Sequence, residues 1–252
     1  MCIRDSYTTY GYGCDYYYSQ GYCSKVRIPL NDASPTTPLV DVWRSPPPCA
    51  VNGCSPATGD SARGAWAVGP TGRVSTYGAQ HYGDLSNTSL NKPIVGMSPT
   101  ADSLGYWLVA SDGGIFSFGD ARFYGSTGAI KLNKPIVGMS VTPTGKGYWL
   151  VASDGGIFSF GDARFYGSTG NLQLISPIAG MMPSDNGYFM VATDGGVFAF
   201  GDARFGGSLG GQALEAPIIA ILPTLDRTYI LASRSGQTFA CGQSGPGCYP
   251  TP

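Results

Sequence analysis

Three features of the sequence predict an all-β protein of repeated four-stranded sheets with no helix. First, the stretch Gly105–Gly128, GYWLVASDGGIFSFGDARFYGSTG, recurs letter for letter at Gly147–Gly170, and a third version begins at Gly187. Second, the apolar segments inside it are short and separated by Asp-Gly and Gly-Asp pairs, which are turn signals between strands. Third, those segments are apolar at consecutive positions, so both faces of each sheet must be covered.

The period can be measured on a recurring glycine. Gly64 to Gly105 is 41 positions, Gly105 to Gly147 is 42, Gly147 to Gly187 is 40 and Gly187 to Thr228 is 41. A proline opening each unit agrees, at Pro93, Pro135, Pro177 and Pro217. Five units are expected, near residues 49–90, 91–132, 133–174, 175–214 and 215–252. In the first, Val51–Pro56 lies over Val95–Pro99 as a degenerate opening strand.

Each unit then reads as four strands in order. The first (Pro135–Ser140) begins with proline, tolerated at a strand's first residue. The second (GYWLVAS) and third (GIFSF) are joined through Asp112-Gly113, Asp154-Gly155 or Asp194-Gly195. This pair favours a tight type I′ turn, which needs two residues at positive φ. The fourth (ARFYG) follows Gly119-Asp120, Gly161-Asp162 or Gly201-Asp202. In the second strand Tyr106, Leu108 and Ala110 face one way while Trp107, Val109 and Ser111 face the other. A lone unit cannot cover two apolar faces, but identical units stacked face to face can. The return from the fourth strand to the next unit must cross three strand spacings of about 4.8 Å, and Ser126–Lys134 is long enough. Radially stacked four-stranded sheets with such a return define a β-propeller. About five blades are expected, in a closed ring or as part of a larger one.

Outside the repeats, Met1–Ser6 (MCIRDS) resembles translated sequencing-adaptor read-through and is set aside. Residues 7–48 are Tyr/Gly-rich and end in Ser45–Pro48 (SPPP), which reads as a disulfide-pinned extension or linker, with the tail of an earlier repeat as the alternative; residues 49–252 are expected to form the repeat domain. With Cys2 set aside, six cysteines fall in close pairs: Cys14 with Cys23, Cys49 with Cys54, and Cys241 with Cys248. An even count at short spacing indicates disulfides and an oxidising compartment. A Cys54–Cys241 bond closing the ring is a rival pairing, and unpaired thiols are the bland alternative.

Charged residues are only 12% of the chain and the net charge is −1, so no field favours nucleic acid or anionic lipid. No apolar run approaches the roughly 20 residues of a membrane helix. Neither partner class is expected, and no signal peptide is read at the N-terminus.

The strings NKPIVGM and GYWLVASDGGIFSFGDARFYGS resemble a repeat module of secreted and cell-envelope proteins of actinobacteria, often found beside hydrolase or cell-wall domains. The likeness is close over Asn91–Gly210 and loose over Ala50–Cys248. It implies a secreted or envelope-attached module, and no defined reaction is associated with the repeat.

Few constellations could carry chemistry. His81 is the only histidine, in a degenerate position matched to Ala-Arg in other copies and read as having no acid or nucleophile near it in sequence. Gly206–Gly210 matches G-x-S-x-G, but a nucleophile elbow needs a strand-to-helix turn. Asp112, Asp154 and Asp194 are read as turn-stabilising, as are Asp120, Asp162 and Asp202. The sharper reading is a ring of carboxylates holding Ca²⁺ or a glycan. Their spacing lacks the dense oxygen ligands of a calcium loop, so calcium is not predicted; no cofactor or metal is.

Arg122, Arg164 and Arg204 follow two residues after the second Asp, so an Asp–Arg pair is one reading. The other is that Asp120, Arg122, Tyr124, Asp162, Arg164, Tyr166, Asp202 and Arg204 form a repeated cationic and aromatic surface for sugars. Trp107 and Trp149, mid-strand among Leu and Val, are read as inter-sheet core. The expectation is a non-catalytic extracellular binding or scaffolding domain for a cell-wall or extracellular glycan or protein. One alternative is the accessory part of a cell-wall or ester hydrolase. A propeller glycosidase is a third, but it needs paired carboxylates in distinct roles, and Glu215 is the only glutamate.

Overall fold

The computed structural model describes residues 25–26, 41–44, 65–224, 228–242 and 247–251. Among them there are strands and turns and no helix. The strands are β1 (Lys25–Val26), β2 (Asp41–Arg44), β3 (Ala65–Val68), β4 (Val74–Tyr77), β5 (Ile94–Pro99), β6 (Gly105–Ala110), β7 (Ile115–Gly119), β8 (Ile136–Val141) and β9 (Gly147–Ala152). They continue with β10 (Ile157–Gly161), β11 (Ile178–Ser184), β12 (Gly187–Ala192), β13 (Val197–Gly201), β14 (Ile218–Pro223), β15 (Tyr229–Ser233), β16 (Thr238–Cys241) and β17 (Cys248–Pro250).

These form five small antiparallel sheets in chain order: β1-β2-β3-β4, β5-β6-β7, β8-β9-β10, β11-β12-β13 and β14-β15-β16-β17. The opening strands of the four later sheets lie against one another in series, β5 on β8, β8 on β11 and β11 on β14, while β2, the strand of the first sheet that pairs with β3, lies on β5, and β1 lies beside β14. In the four later sheets the opening strand carries a bulge, at Val95, Val137, Ala179 and Ile219. An extra residue there increases local twist.

Two-sided burial is observed. All six residues of β6, β9 and β12 are buried. Alternate residues of one strand enter different cores, as period-two geometry requires. Tyr106 and Leu108 pack with Trp66 and Val68 of the preceding sheet. Trp107 and Val109 pack with Tyr148, Leu150 and Ile136 of the following one. The same partition repeats around Trp149 and Tyr188 and around Phe189 and Tyr229. Backbone bonds also tie neighbours, because each unit's opening isoleucine donates to the preceding unit's hairpin: Ile94 N–H to Pro70 O, Ile136 to Ser111 O, Ile178 to Ser153 O and Ile218 to Thr193 O, each 2.8 Å.

Three expectations change. The segment ARFYG is not a fourth strand in the second, third or fourth sheet; residues 121–126 and their copies run without ladder pairing. In the fifth sheet a fourth strand does form, from Cys248–Pro250. Second, the Asp-Gly hairpin is not type I′. Gly113 N–H donates to Ala110 O and Ala110 N–H to Gly114 O, while Gly113 has φ 78° and only Ser103 among described non-glycine residues has positive φ. That is a three-residue loop, a type I turn followed by a left-handed glycine. Third, the strand pairing with β3 is Asp41–Arg44, in register Trp43 to Trp66. It lies within the stretch expected to be a linker, and Val51–Pro56 falls outside the described residues.

Cys241 and Cys248, directly opposite in the β16–β17 ladder, form a disulfide. The local pairing is therefore the one observed, and the Cys54–Cys241 rival is replaced by it. Cys14, Cys23, Cys49 and Cys54 lie outside the described residues.

Candidate functional site

The segment from Asp120 to Gly125 explains itself residue by residue. β7 ends at Gly119, whose φ of 66° turns the chain away from the sheet. The next carboxylate folds back onto the loop between the unit's first two strands. Asp162 accepts from Thr142 Oγ1 at 2.8 Å and from Thr144 Oγ1. Asp202 accepts from Ser184 Oγ at 2.6 Å and from Asn186 N–H at 2.9 Å. A Cβ at Gly105 would stand 2.5 Å from Asp120 Oδ1 and 2.4 Å from Phe118 O, so this closure requires glycine to open the second strand.

In the second sheet the same place holds two carboxylates. Thr100 Oγ1 and Leu104 N–H donate to Asp102 at 2.9 and 3.2 Å. Asp120, partly buried and facing the charge of Asp102, holds its proton more tightly than an ordinary carboxyl. Asp102 moves the other way: partial burial opposes its ionisation, but the bonds from Leu104 and Thr100 outweigh that.

Beyond the aspartate the chain crosses to the next unit. Trp107 Nε1 donates to Arg122 O and Trp149 Nε1 to Arg164 O, both at 2.7 Å. Tyr148 Oη accepts from Tyr124 N–H at 3.1 Å and donates to Gly125 O at 2.6 Å. Tyr106, Tyr188 and Tyr229 make the same two bonds to Tyr82 and Gly83, to Tyr166 and Gly167, and to Gly206 and Gly207. The missing fourth strand follows from this. An indole of its own unit and a phenol of the next hold Arg122 O, Tyr124 N–H and Gly125 O, and so direct the segment away from β7 toward the neighbouring unit. Burial pushes the four phenols upward, Tyr106 to about 12.

The side chains sort accordingly. Ala121 is buried. Tyr124 and Tyr166, expected on a binding surface, are half-buried between units, edge-on to Tyr148 and Tyr188 at 5.7 Å, and Tyr124 Oη donates to Gly145 O. Arg122, Arg164 and Arg204 are exposed. The expected Asp–Arg pairs are not found among the described residues; the aspartates bond to the loops instead. Beside each arginine stands a phenylalanine that the sequence reading passed over: Phe123, Phe165 and Phe205 are 60%, 61% and 59% exposed. Their one sequence signal is recurrence directly after Arg, in a segment whose neighbours have structural duties.

The other candidates have local roles. Asp112, Asp154 and Asp194 each accept the N–H of the second following glycine, at 2.9 to 3.0 Å. These turns and the Asp120 set lie at opposite ends of the sheets, since Val109 pairs with Ile115 at one end and Gly105 with Gly119 at the other. Among the described residues no three His, Cys, Asp or Glu side chains converge as a metal site would need. His81 occupies the Phe123 position, because Gln80 O accepts from Trp66 and Tyr82 N–H donates to Tyr106. The sequence reading gave it no nearby acid, yet Asp84 stands 3.8 Å away. Ser208 of the G-x-S-x-G match donates to Gly195 O in a return loop, with no helix following. An open depression of about 280 Å³ beside the Asp194 turn is lined in part by Glu215, Gln212 and Thr193.

No protein-family profile matches the chain, and no curated protein matches it. Among solved structures it is similar to Raptor from Chaetomium thermophilum, at 9% identity and a TM-score of 0.53 over 85% of this chain. The chain spans 20% of that protein's length, and at this identity the likeness concerns the fold alone.

Proposed function

We propose that the chain forms a five-bladed β-propeller acting as a non-catalytic, extracellular binding or scaffolding module for acidic glycan of the cell wall or matrix. Ring geometry is supported by the serial packing of β2, β5, β8, β11 and β14 and by β1 lying beside β14. An oxidising location is supported by the Cys241–Cys248 disulfide.

The observation that carries the binding reading is the exposed Arg–Phe pair repeated at Arg122-Phe123, Arg164-Phe165 and Arg204-Phe205. A guanidinium forks onto a carboxylate, and an exposed phenyl one residue along the chain can take the apolar face of a sugar ring. Three such pairs at one-unit intervals suit a repeating acidic polymer, where each weak contact raises the effective concentration for the next.

The test is co-sedimentation with peptidoglycan and an insoluble polyuronate, with chitin as the neutral control. Retention on the acidic polymers should fall at least about tenfold in a Phe123→Ala/Phe165→Ala/Phe205→Ala variant and weaken with salt. Retention equal on all three polymers, or unchanged in the triple variant, would sink the proposal.

A further inference from the structure

The outer edges of the five sheets are not treated alike. In the fifth, β17 pairs with β16, so Ala240 faces Tyr249, Gly242 N–H donates to Gly247 O and Thr251 N–H to Thr238 O. In the first, the N–H of Val74, at the start of β4, donates to the Asp84 carboxylate at 3.3 Å. Register makes Val74 and Thr238 counterparts of Ile115, and Ala240 of Ser117. In the three central sheets β7, β10 and β13 are the last strands, and no described strand lies beyond them. Their outward groups, on Ile115, Ser117 and Gly119 and the copies, form the row that β17 occupies in the fifth sheet.

We propose that these central edges are strand-pairing surfaces, and that their occupant is the same edge of a second copy of this chain. β17 shows that this edge position accepts an antiparallel strand. The choice of a second copy follows from the strands themselves. β7 and β10 are both Ile-Phe-Ser-Phe-Gly and β13 is Val-Phe-Ala-Phe-Gly. None carries the lysine, charge or proline that usually blunts an exposed edge. The order Phe-Ser-Phe reads the same in both directions. Antiparallel pairing across a two-fold therefore sets Ser117 opposite Ser117 of the other copy, exchanging two N–H···O bonds. It also sets Phe116 opposite the other copy's Phe118, an aromatic cross-strand pair. Such contacts are isologous, and three edges on one chain carry association beyond a dimer. The inference rests on the sheet edges and not on the Arg–Phe surface.

Light scattering on the full chain, thiols alkylated, tests it across a wide concentration range. The mass should rise from 26.3 kDa to about twice that or more. A Ser117→Pro/Ser159→Pro/Ala199→Pro variant loses only outward N–H groups, which an edge strand tolerates, and should stay monomeric with unchanged circular dichroism. Should that variant not fold, Ser117→Lys/Ser159→Lys/Ala199→Lys decides: the ladder groups remain, but like charges meet across the two-fold and association should be lost. The Phe123→Ala/Phe165→Ala/Phe205→Ala variant should associate as the parent does. A parent monomeric at every concentration, association persisting in a folded edge variant, or its loss in the phenylalanine variant would each overturn the proposal.

Discussion

The central sheets and the two at the ends of the series solve opposite halves of one problem. A central unit both gives and receives: its Ala-Arg-Phe-Tyr-Gly segment crosses to the next unit, and its own tyrosine clasps the segment arriving from the unit before. The first sheet gives Tyr82 and Gly83 to Tyr106 but has Ala65 where the others carry the clasping tyrosine. The fifth receives through Tyr229, and its edge is filled by β17. The fourth unit has adjusted to that. Gly206 stands where the other units carry tyrosine, and there the fifth sheet comes close: a Cβ on Gly206 would stand 3.3 Å from Gly242 Cα and 3.4 Å from Cys241 O. Repeats are thus held by one reciprocal clasp, and the end units are where its unused halves are removed.

The largest test of this difference is core truncation. Trp149 is 2% exposed, packs among Tyr166 and Tyr188 and donates to Arg164 O. Trp149→Ala should cost about 3–5 kcal/mol by denaturant unfolding. Ile230, its half-buried counterpart in the fifth sheet, should lose only about 1–2 kcal/mol on change to alanine. Equal losses would mean that central and end interfaces are not distinct.

Next comes the clasp itself. Tyr148→Phe keeps the ring but strands Tyr124 N–H and Gly125 O, at about 2–3 kcal/mol for two unpaired backbone groups. The same hydroxyls predict an alkaline limit. Their pKa values are raised above the unfolded value near 10.0, so the folded state holds protons that the unfolded state has released. The stability they contribute is complete below that value and is lost as pH rises through their raised folded values, about 12 for Tyr106. A Tyr106→Phe/Tyr148→Phe variant should show a shallower fall in thermal midpoint between those limits, and an unchanged slope would refute the linkage.

The periodicity, the hairpins and the two-sided core were legible because they are written within one unit. The crossing segment was not, since ARFYG has strand-like composition and the groups that redirect it lie 23 and 24 residues away on the next unit's tyrosine. The turn type was misjudged because Asp-Gly alone suggests a two-residue loop, and Ser111 is its third member. The sequence does not separate half-buried Tyr124 from exposed Phe123 for the same cause. Which of two adjacent aromatics faces water depends on where the neighbouring sheet stands.

Removing the β17 clamp should have a smaller, local effect. Cys241→Ala/Cys248→Ala opens a loop of sequence separation 7, worth about 2 kcal/mol by chain entropy. Hydrogen exchange should quicken at Gly242 and Thr251, the β17 contacts, while the Tyr124 amide under its clasp stays slow. Equal acceleration at both would show that the end sheet unfolds together with the centre.

The smallest contrast sets Asp84 in the first sheet against Asp120 in the second. Partial burial opposes ionisation of Asp84, but bonds from the Ser86 backbone and hydroxyl and from Val74 N–H, with His81 alongside, hold its pKa below the usual range. A depressed carboxylate stabilises the fold above its unfolded pKa, and that contribution is lost as pH falls through the folded value. Asp84→Asn should therefore lower the thermal midpoint at neutral pH by the equivalent of under about 1 kcal/mol, the gap to the parent closing in acid. Asp120 carries the opposite sign, since burial and the charge of Asp102 raise its pKa. Ionising it costs stability as pH rises past the unfolded value, so Asp120→Asn should leave the midpoint unchanged or raise it at neutral pH. A loss at Asp120 matching that at Asp84 would mean its role in closing the loop outweighs its repulsion by Asp102.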